Sequence, residues 1–305
     1  MKTPSLLFDV PPGIGDVSWV YSKVRDLALK EPVGFRICCD PPNRSEPFVQ
    51  LLPGVVNFNY SGHYAQMLPR LLPYDTDLAQ LPPGQYALSM NPHLEAGRRL
   101  DQAFPKQTTH YHYPLNLPSS AAASAQTFFS QVTGVQKLGF YCSSYKHRPD
   151  LGFWTPQEWV RFLTMISHWL PKASFIALGA EYDDKTQDVV KLLKAAKVRV
   201  HSAIGSEIGC TISIMQRLDY FFAFPSGLAI LADVLDLPCM MWYWSNVPGF
   251  EAFKNFPNSY ADPDNIRTFR HINAPYHKVE EALKLFQLRG LPWIPISSAQ
   301  VGPSF

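Results

Sequence analysis

The chain has 305 residues, 46% of them hydrophobic and 13% aromatic, with only 17% charged and 28 prolines. That is enough apolar material for one large α/β unit or two domains, and it excludes coiled coil, collagen and disorder. A net charge of +2 argues against wholesale binding to a polyanion and leaves only a local basic groove. Five cysteines (Cys38, Cys39, Cys142, Cys210, Cys239) show no metal spacing and are odd in number, as expected of free thiols in a reducing compartment. The first apolar run is too short for a signal peptide. No stretch reaches the ~18–20 apolar residues of a membrane span, and a cytoplasmic protein is expected.

In chain order, residues 5–10 read as a strand running into Pro11-Pro12-Gly13-Ile14-Gly15-Asp16. Val17, Val20, Tyr21, Val24 and Leu27 recur at spacings of three and four, which predicts a helix. Strands are predicted at 35–39 and 55–60, with a short helix at 47–52, so the chain opens as a βαβ unit. Residues 61–115 are rich in Pro, His and Tyr and carry little clean period. A helix follows at 119–132.

The second half is plainer. Strands are predicted at 138–142, 174–178, 198–201, 219–224 and 239–244. Helices lie between them: one behind the capping box Thr155-Pro156-Gln157-Glu158, then 183–197, 207–217 and a helix from Gly227 to Asp236. A last helix is expected at 278–289. Apolar strands alternating with helices mean parallel sheets buried on both faces. The predicted fold class is therefore α/β, with the domains divided as 1–134 and 135–275, and a tail over 276–305.

In open parallel sheets ligands bind beyond the carboxyl ends of strands. The loop at Gly13–Asp16 is one such place. Asp16 there either caps the next helix or serves as a general base. The GxGxxG fingerprint is absent, which speaks against a nicotinamide site. Pro225-Ser226-Gly227 is a second loop, where the start of a helix either binds a diphosphate or is simply capped by Ser226. In Asn91-Pro92-His93-Leu94-Glu95-Ala96-Gly97-Arg98, Glu95 and Arg98 fall on one helical face at i, i+3. His93 and Glu95 there suit acid–base or hydroxyl-binding roles, or the segment is a solvated helix start. His110 and His112 alternate as in a strand and would face one side, but no third ligand has recognisable spacing. Lys146 and Arg148 belong to a basic loop that either holds phosphate or is plain surface.

The ordered set of Leu6-Leu7-Phe8 through Gly15-Asp16-Val17, Pro53-Gly54-Val55, Trp154 to Trp159, Phe175 to Gly179, and Ser226-Gly227 with Pro238 resembles the ADP-heptose:lipopolysaccharide heptosyltransferases. The likeness covers roughly residues 5–60 and 138–245. It implies a GT-B fold, two Rossmann-like domains facing across a cleft, with the tail packing back on the N-terminal domain. It also implies an inverting glycosyltransferase that needs no metal or other cofactor beyond its nucleotide-sugar donor. Asp16 matches the family's catalytic base. Ser226 and Gly227 match its diphosphate contact; Gly15, Lys146 and Arg148 join them on the donor side. His93, Glu95 and Arg98 are assigned to the acceptor. Pro225 and Ile230 stand where the family usually has Asp and His, so the implied donor is some nucleotide sugar rather than ADP-heptose itself.

By family analogy the acceptor is a surface glycan. An alternative is a hydroxymethylated DNA base, served by Arg98, Arg99, Lys146, Arg148, Arg267 and Arg270 and by stacking on Tyr60, Tyr64, Tyr111 and Tyr113. A protein acceptor and a non-catalytic nucleotide-sugar-binding module are further readings. The sequence sets no oligomeric state.

Overall fold

A computed structural model describes residues 3–38, 45–58, 62–96, 98–143, 154–224, 226–241, 243–244, 273–274, 278–290 and 294. Its first sheet is built from β1 (Leu6–Val10), β2 (Val33–Ile37), β3 (Val55–Phe58) and β4 (Gly84–Ala87), in the order β3-β2-β1-β4. All pairs are parallel, with Phe8 opposite both Phe35 and Tyr86. The second sheet holds β5 (Lys137–Tyr141), β6 (Ser174–Ala177), β7 (Val200–Ser202), β8 (Tyr220–Ala223) and β9 (Cys239–Met241) in the order β7-β6-β5-β8-β9, again all parallel. β6 and β8 are buried at every position, because helices cover both faces and no strand residue has a wet side.

Helix α1 (Ile14–Lys30) joins β1 to β2, and buries Val17, Val20, Tyr21, Val24 and Ala28 along one stripe. α2 (Glu46–Val49) precedes β3, α3 (Asn91–Glu95) follows β4, and α4 (Ser119–Ser130) leads to the second sheet. There α5 (Pro156–Trp169), α6 (Asp184–Ala195), α7 (Ile208–Met215) and α8 (Gly227–Val234) alternate with the strands, and α9 (Val279–Leu285) closes the described chain. No helix among the described residues is long and apolar enough to cross a membrane.

The unreadable 61–115 segment holds three single 3₁₀ turns, at Tyr64–Gln66, Leu68–Arg70 and Leu78–Gln80, besides β4 and α3. β4 left no signal because it is a four-residue edge strand whose Gly84 and Gln85 are exposed. Within this segment Leu71 bridges to Ala87 and the Leu72 N–H donates to the Ala87 carbonyl at 2.9 Å, so it runs along the β4 edge of the first sheet. Asp9, 1% exposed, accepts from Arg36 and from Gln85, with Arg70 at 3.5 Å.

Two expectations need correction. The single strand at 239–244 is divided: β9 pairs with β8, whereas β10 (Tyr243–Trp244) pairs with β11 (Asn273–Ala274). The described part of the tail packs on the second half, not on the first. Val279, Ala282, Leu283 and Phe286 join the core beneath α5, and the Phe286 ring lies 5.1 Å from Phe222 and 5.4 Å from Tyr220.

The two halves share one apolar core, which runs from Phe8 and Val20 through Ile212 to Leu231 and Met241. α1 packs against α8, while α4 and α2 pack against α7.

Candidate active site at the junction of the sheets

Each sheet reverses its strand order beside its first strand, between β1 and β4 and between β5 and β8. Crevices at such switch points, beyond the carboxyl strand ends, are where parallel sheets hold ligands. β1 and β8 each lead directly into a helix, α1 and α8, and the first turns of these helices touch. A Cβ added at Gly15 would lie 2.4 Å from Ile230 Cδ1, and one at Gly227 would lie 3.0 Å from Ile14 Cβ. The two switch points therefore converge on one junction. Ile230, 6% exposed, packs across it onto Gly15.

Asp16 lies in this turn. The reading of Asp16 as a helix cap is corrected: α1 begins at Ile14 with Gly13 at the cap position, so Asp16 is already inside the first turn. The early start depends on Gly13, whose φ of +114° is open to glycine and strained for other residues. The Gly13 N–H donates to Ser45 Oγ at 2.9 Å.

The Asp16 carboxylate is fixed on two sides. Its Oδ1 accepts from Asn91 Nδ2 at 2.7 Å. Its Oδ2 lies over Gly13, 2.7 Å from where a Cβ would stand. Burial raises its pKa from the ordinary 3.8 to about 7, against the opposing pull of the Asn91 amide and the helix's own backbone. A carboxyl group poised there takes or gives a proton near neutral pH.

Ser226 caps α8, its Oγ accepting from the Ala229 N–H at 3.2 Å. Gly227, next to it, is the residue that lets Ile14 and Gly15 approach. Lys146, Arg148 and Pro225 lie outside the described residues, as does the side chain of Glu95.

The expected helical Glu95/Arg98 face is also corrected. α3 stops at Glu95, and the Arg98 N–H reaches back to the His93 carbonyl at 3.0 Å, closing the helix end. The Arg98 guanidinium instead meets His93 Nδ1 at 3.2 Å and covers the Tyr74 ring at 4.3 Å. His93 packs edge-on against Phe104, and burial, followed by the charge of Arg98, lowers its pKa. Sequence reasoning names Gly13 only as part of its loop, and Asn91 is the site residue to which it assigns no role. The only trace of Asn91 was its place at the head of the Asn-Pro-His block.

His110 and His112 do not face one side. His110 pairs with Asp26 of α1 at 2.8 Å, and His112 Nδ1 lies 2.7 Å from the Asp233 carbonyl of α8. Among the described residues no three His, Cys, Asp or Glu side chains are grouped to hold a metal. Tyr113 is a core residue, 6% exposed, with its hydroxyl donating to the Ser18 carbonyl. Tyr111 packs half-buried on the same core. Neither is an open stacking platform, and Arg99 is held by both carboxylate oxygens of Asp101. Tyr60, Arg267 and Arg270 lie outside the described residues.

No protein-family model matches this sequence, and no curated protein matches it. Solved structures do. The Escherichia coli ADP-heptose lipopolysaccharide heptosyltransferase II is similar with a TM-score of 0.62 at 12% identity, over 94% of this chain and 98% of that one. The glycosyl transferase family 9 protein of Veillonella parvula gives 0.63 at 12% identity, over 94% and 97%. The E. coli heptosyltransferase WaaC, solved with ADP, gives 0.55 at 12% identity, over 94% and 98%. The fold is the two-sheet GT-B architecture. It is the architecture of the heptosyltransferases, followed along nearly the whole chain.

Proposed function

We propose that the protein is a glycosyltransferase that moves a sugar from a nucleotide sugar to an acceptor hydroxyl, with Asp16 as the general base. The observation that carries this reading is the Asp16 carboxylate, held by Asn91 at the junction of two switch points, with burial raising its pKa to about 7. In a single inverting displacement the acceptor oxygen attacks the anomeric carbon, Asp16 takes its proton, and the nucleoside diphosphate departs. The start of α8, with Ser226 and Gly227, supplies N–H groups and the helix dipole to the leaving diphosphate. Lys146 and Arg148 are assigned to the same anion on the sequence resemblance. The fold likeness to enzymes described as ADP-heptose heptosyltransferases supports a nucleotide sugar as donor and a surface glycan as acceptor, bound from the 1–134 half.

The test is incubation of the purified chain with ADP-heptose and other nucleotide sugars, with and without lipopolysaccharide core acceptors, read by mass spectrometry. Transfer, or slow donor hydrolysis without acceptor, is expected. Asp16→Asn should lower turnover about 10²–10⁴-fold and leave donor binding in place. Full turnover by that variant would remove Asp16 from the reaction. Donor binding with no turnover by the wild type would make the chain a binding module.

A further inference from the structure

The residue that the 61–115 segment delivers to Asp16 is Asn91, and its placement is determined by the sheet. β4 pairs with β1 through Asp9 and Ala87, and the Leu88 N–H continues the ladder onto the Asp9 carbonyl at 2.9 Å. Asn91 follows at the head of α3, its N–H donating to Ser89 Oγ at 3.2 Å. The two loops of the first switch point thus meet in one contact, Asn91 Nδ2 to Asp16 Oδ1 at 2.7 Å, between residues 75 apart in the chain.

We infer that Asn91 is a positioning residue, which holds Asp16 Oδ1 and leaves Oδ2 as the oxygen that accepts the proton. This rests on Asp16 being the base. An ionised carboxylate only accepts hydrogen bonds, so it meets the NH₂ end of the amide. That contact uses a lone pair of Oδ1 and fixes the carboxylate plane. Oδ2 is then turned over Gly13, where the missing Cβ leaves it room. No charged side chain of a described residue acts on the carboxylate. α2 approaches the turn through Ser45, which is hydrogen-bonded to the Gly13 N–H, and its Glu46 accepts from Asn57. From α8 come Gly227 and Ile230, and from α3 comes Asn91, whose neighbour His93 is turned to Phe104 and Arg98. Asn91 is therefore the one described side chain that steers the carboxylate.

The experiment is a ¹³C carboxyl NMR titration of the full chain labelled in aspartate, with Asp16→Asn assigning the resonance. Asn91→Ala should move the Asp16 titration upward by about one pH unit, a tenfold weaker acid. Asn91→Asp, nearly isosteric, sets two carboxylates at hydrogen-bond distance and should move it further, in two coupled steps. The acid limb of donor turnover should move by the same amounts. A merely structural asparagine would not shift either curve. Asn91 variants that fold and titrate as wild type overturn the inference, and Asn91→Asp decides if Asn91→Ala does not fold. An inactive Asp16→Asn with unshifted Asn91 variants removes this inference alone. A shifted titration with full turnover in Asp16→Asn removes the base reading beneath it.

Discussion

At Asp16 function and stability pull in opposite directions. The folded chain holds its proton up to about pH 7, whereas an exposed aspartate releases it near 3.8. Between those values the native state binds more protons than the unfolded one, so this residue's contribution to stability falls as pH rises through the window. Below about pH 4 the cost is absent, and above about pH 7 it is complete. Asp16→Asn keeps an acceptor for Asn91 and carries no charge. Its melting temperature should exceed that of the wild type at pH 8 and equal it at pH 4; the same difference at both would refute the linkage. The variant should also lose the limb of the pH–rate profile that climbs through about pH 7. His93 does not supply that limb, because burial and Arg98 keep it neutral there.

At the scale of elements, the contact between α1 and α8 rests on two glycines. Gly15→Ala directs a methyl group at Ile230 Cδ1 and should cost about 1–3 kcal/mol by overpacking. Ile230→Val removes that same δ-methyl, for about 0.5–1.5 kcal/mol alone. The double variant should be more stable than the sum of the two, with a coupling of about 1 kcal/mol in a urea-denaturation cycle. Strict additivity would mean the turns do not touch. Local order on this scale was plain in the sequence. The capping box at Thr155 forms as read, with Thr155 Oγ1 accepting from the Glu158 N–H and Glu158 accepting in return from the Thr155 N–H at 2.7 Å. α3 was not so plain: a five-residue helix has too little period to show where it ends.

The whole molecule is held by a shared core at the junction and by a second core under α5, closed by the tail. Phe286, fully buried against Phe162, Tyr220 and Phe222, is the tail's anchor. Phe286→Ala should cost about 3–5 kcal/mol, measured by chemical denaturation; a loss below about 1 kcal/mol would show that the tail is not part of the second half's core. The direction of the tail could not be read from its own residues, since an amphipathic helix fits any apolar face of the right width.

The sequence by itself determined the α/β class, the apolar strands β5, β6 and β8, the stripe of α1 and the turn that carries Asp16. These follow from the period and capping of neighbouring residues, which local sterics and burial fix. Only the tertiary structure decided that Asp16 meets Asn91, that Ile230 rests on Gly15, and that the tail covers β8. Each of these depends on how closely two distant stretches approach once the sheets are paired, and such an approach leaves no period in either stretch alone.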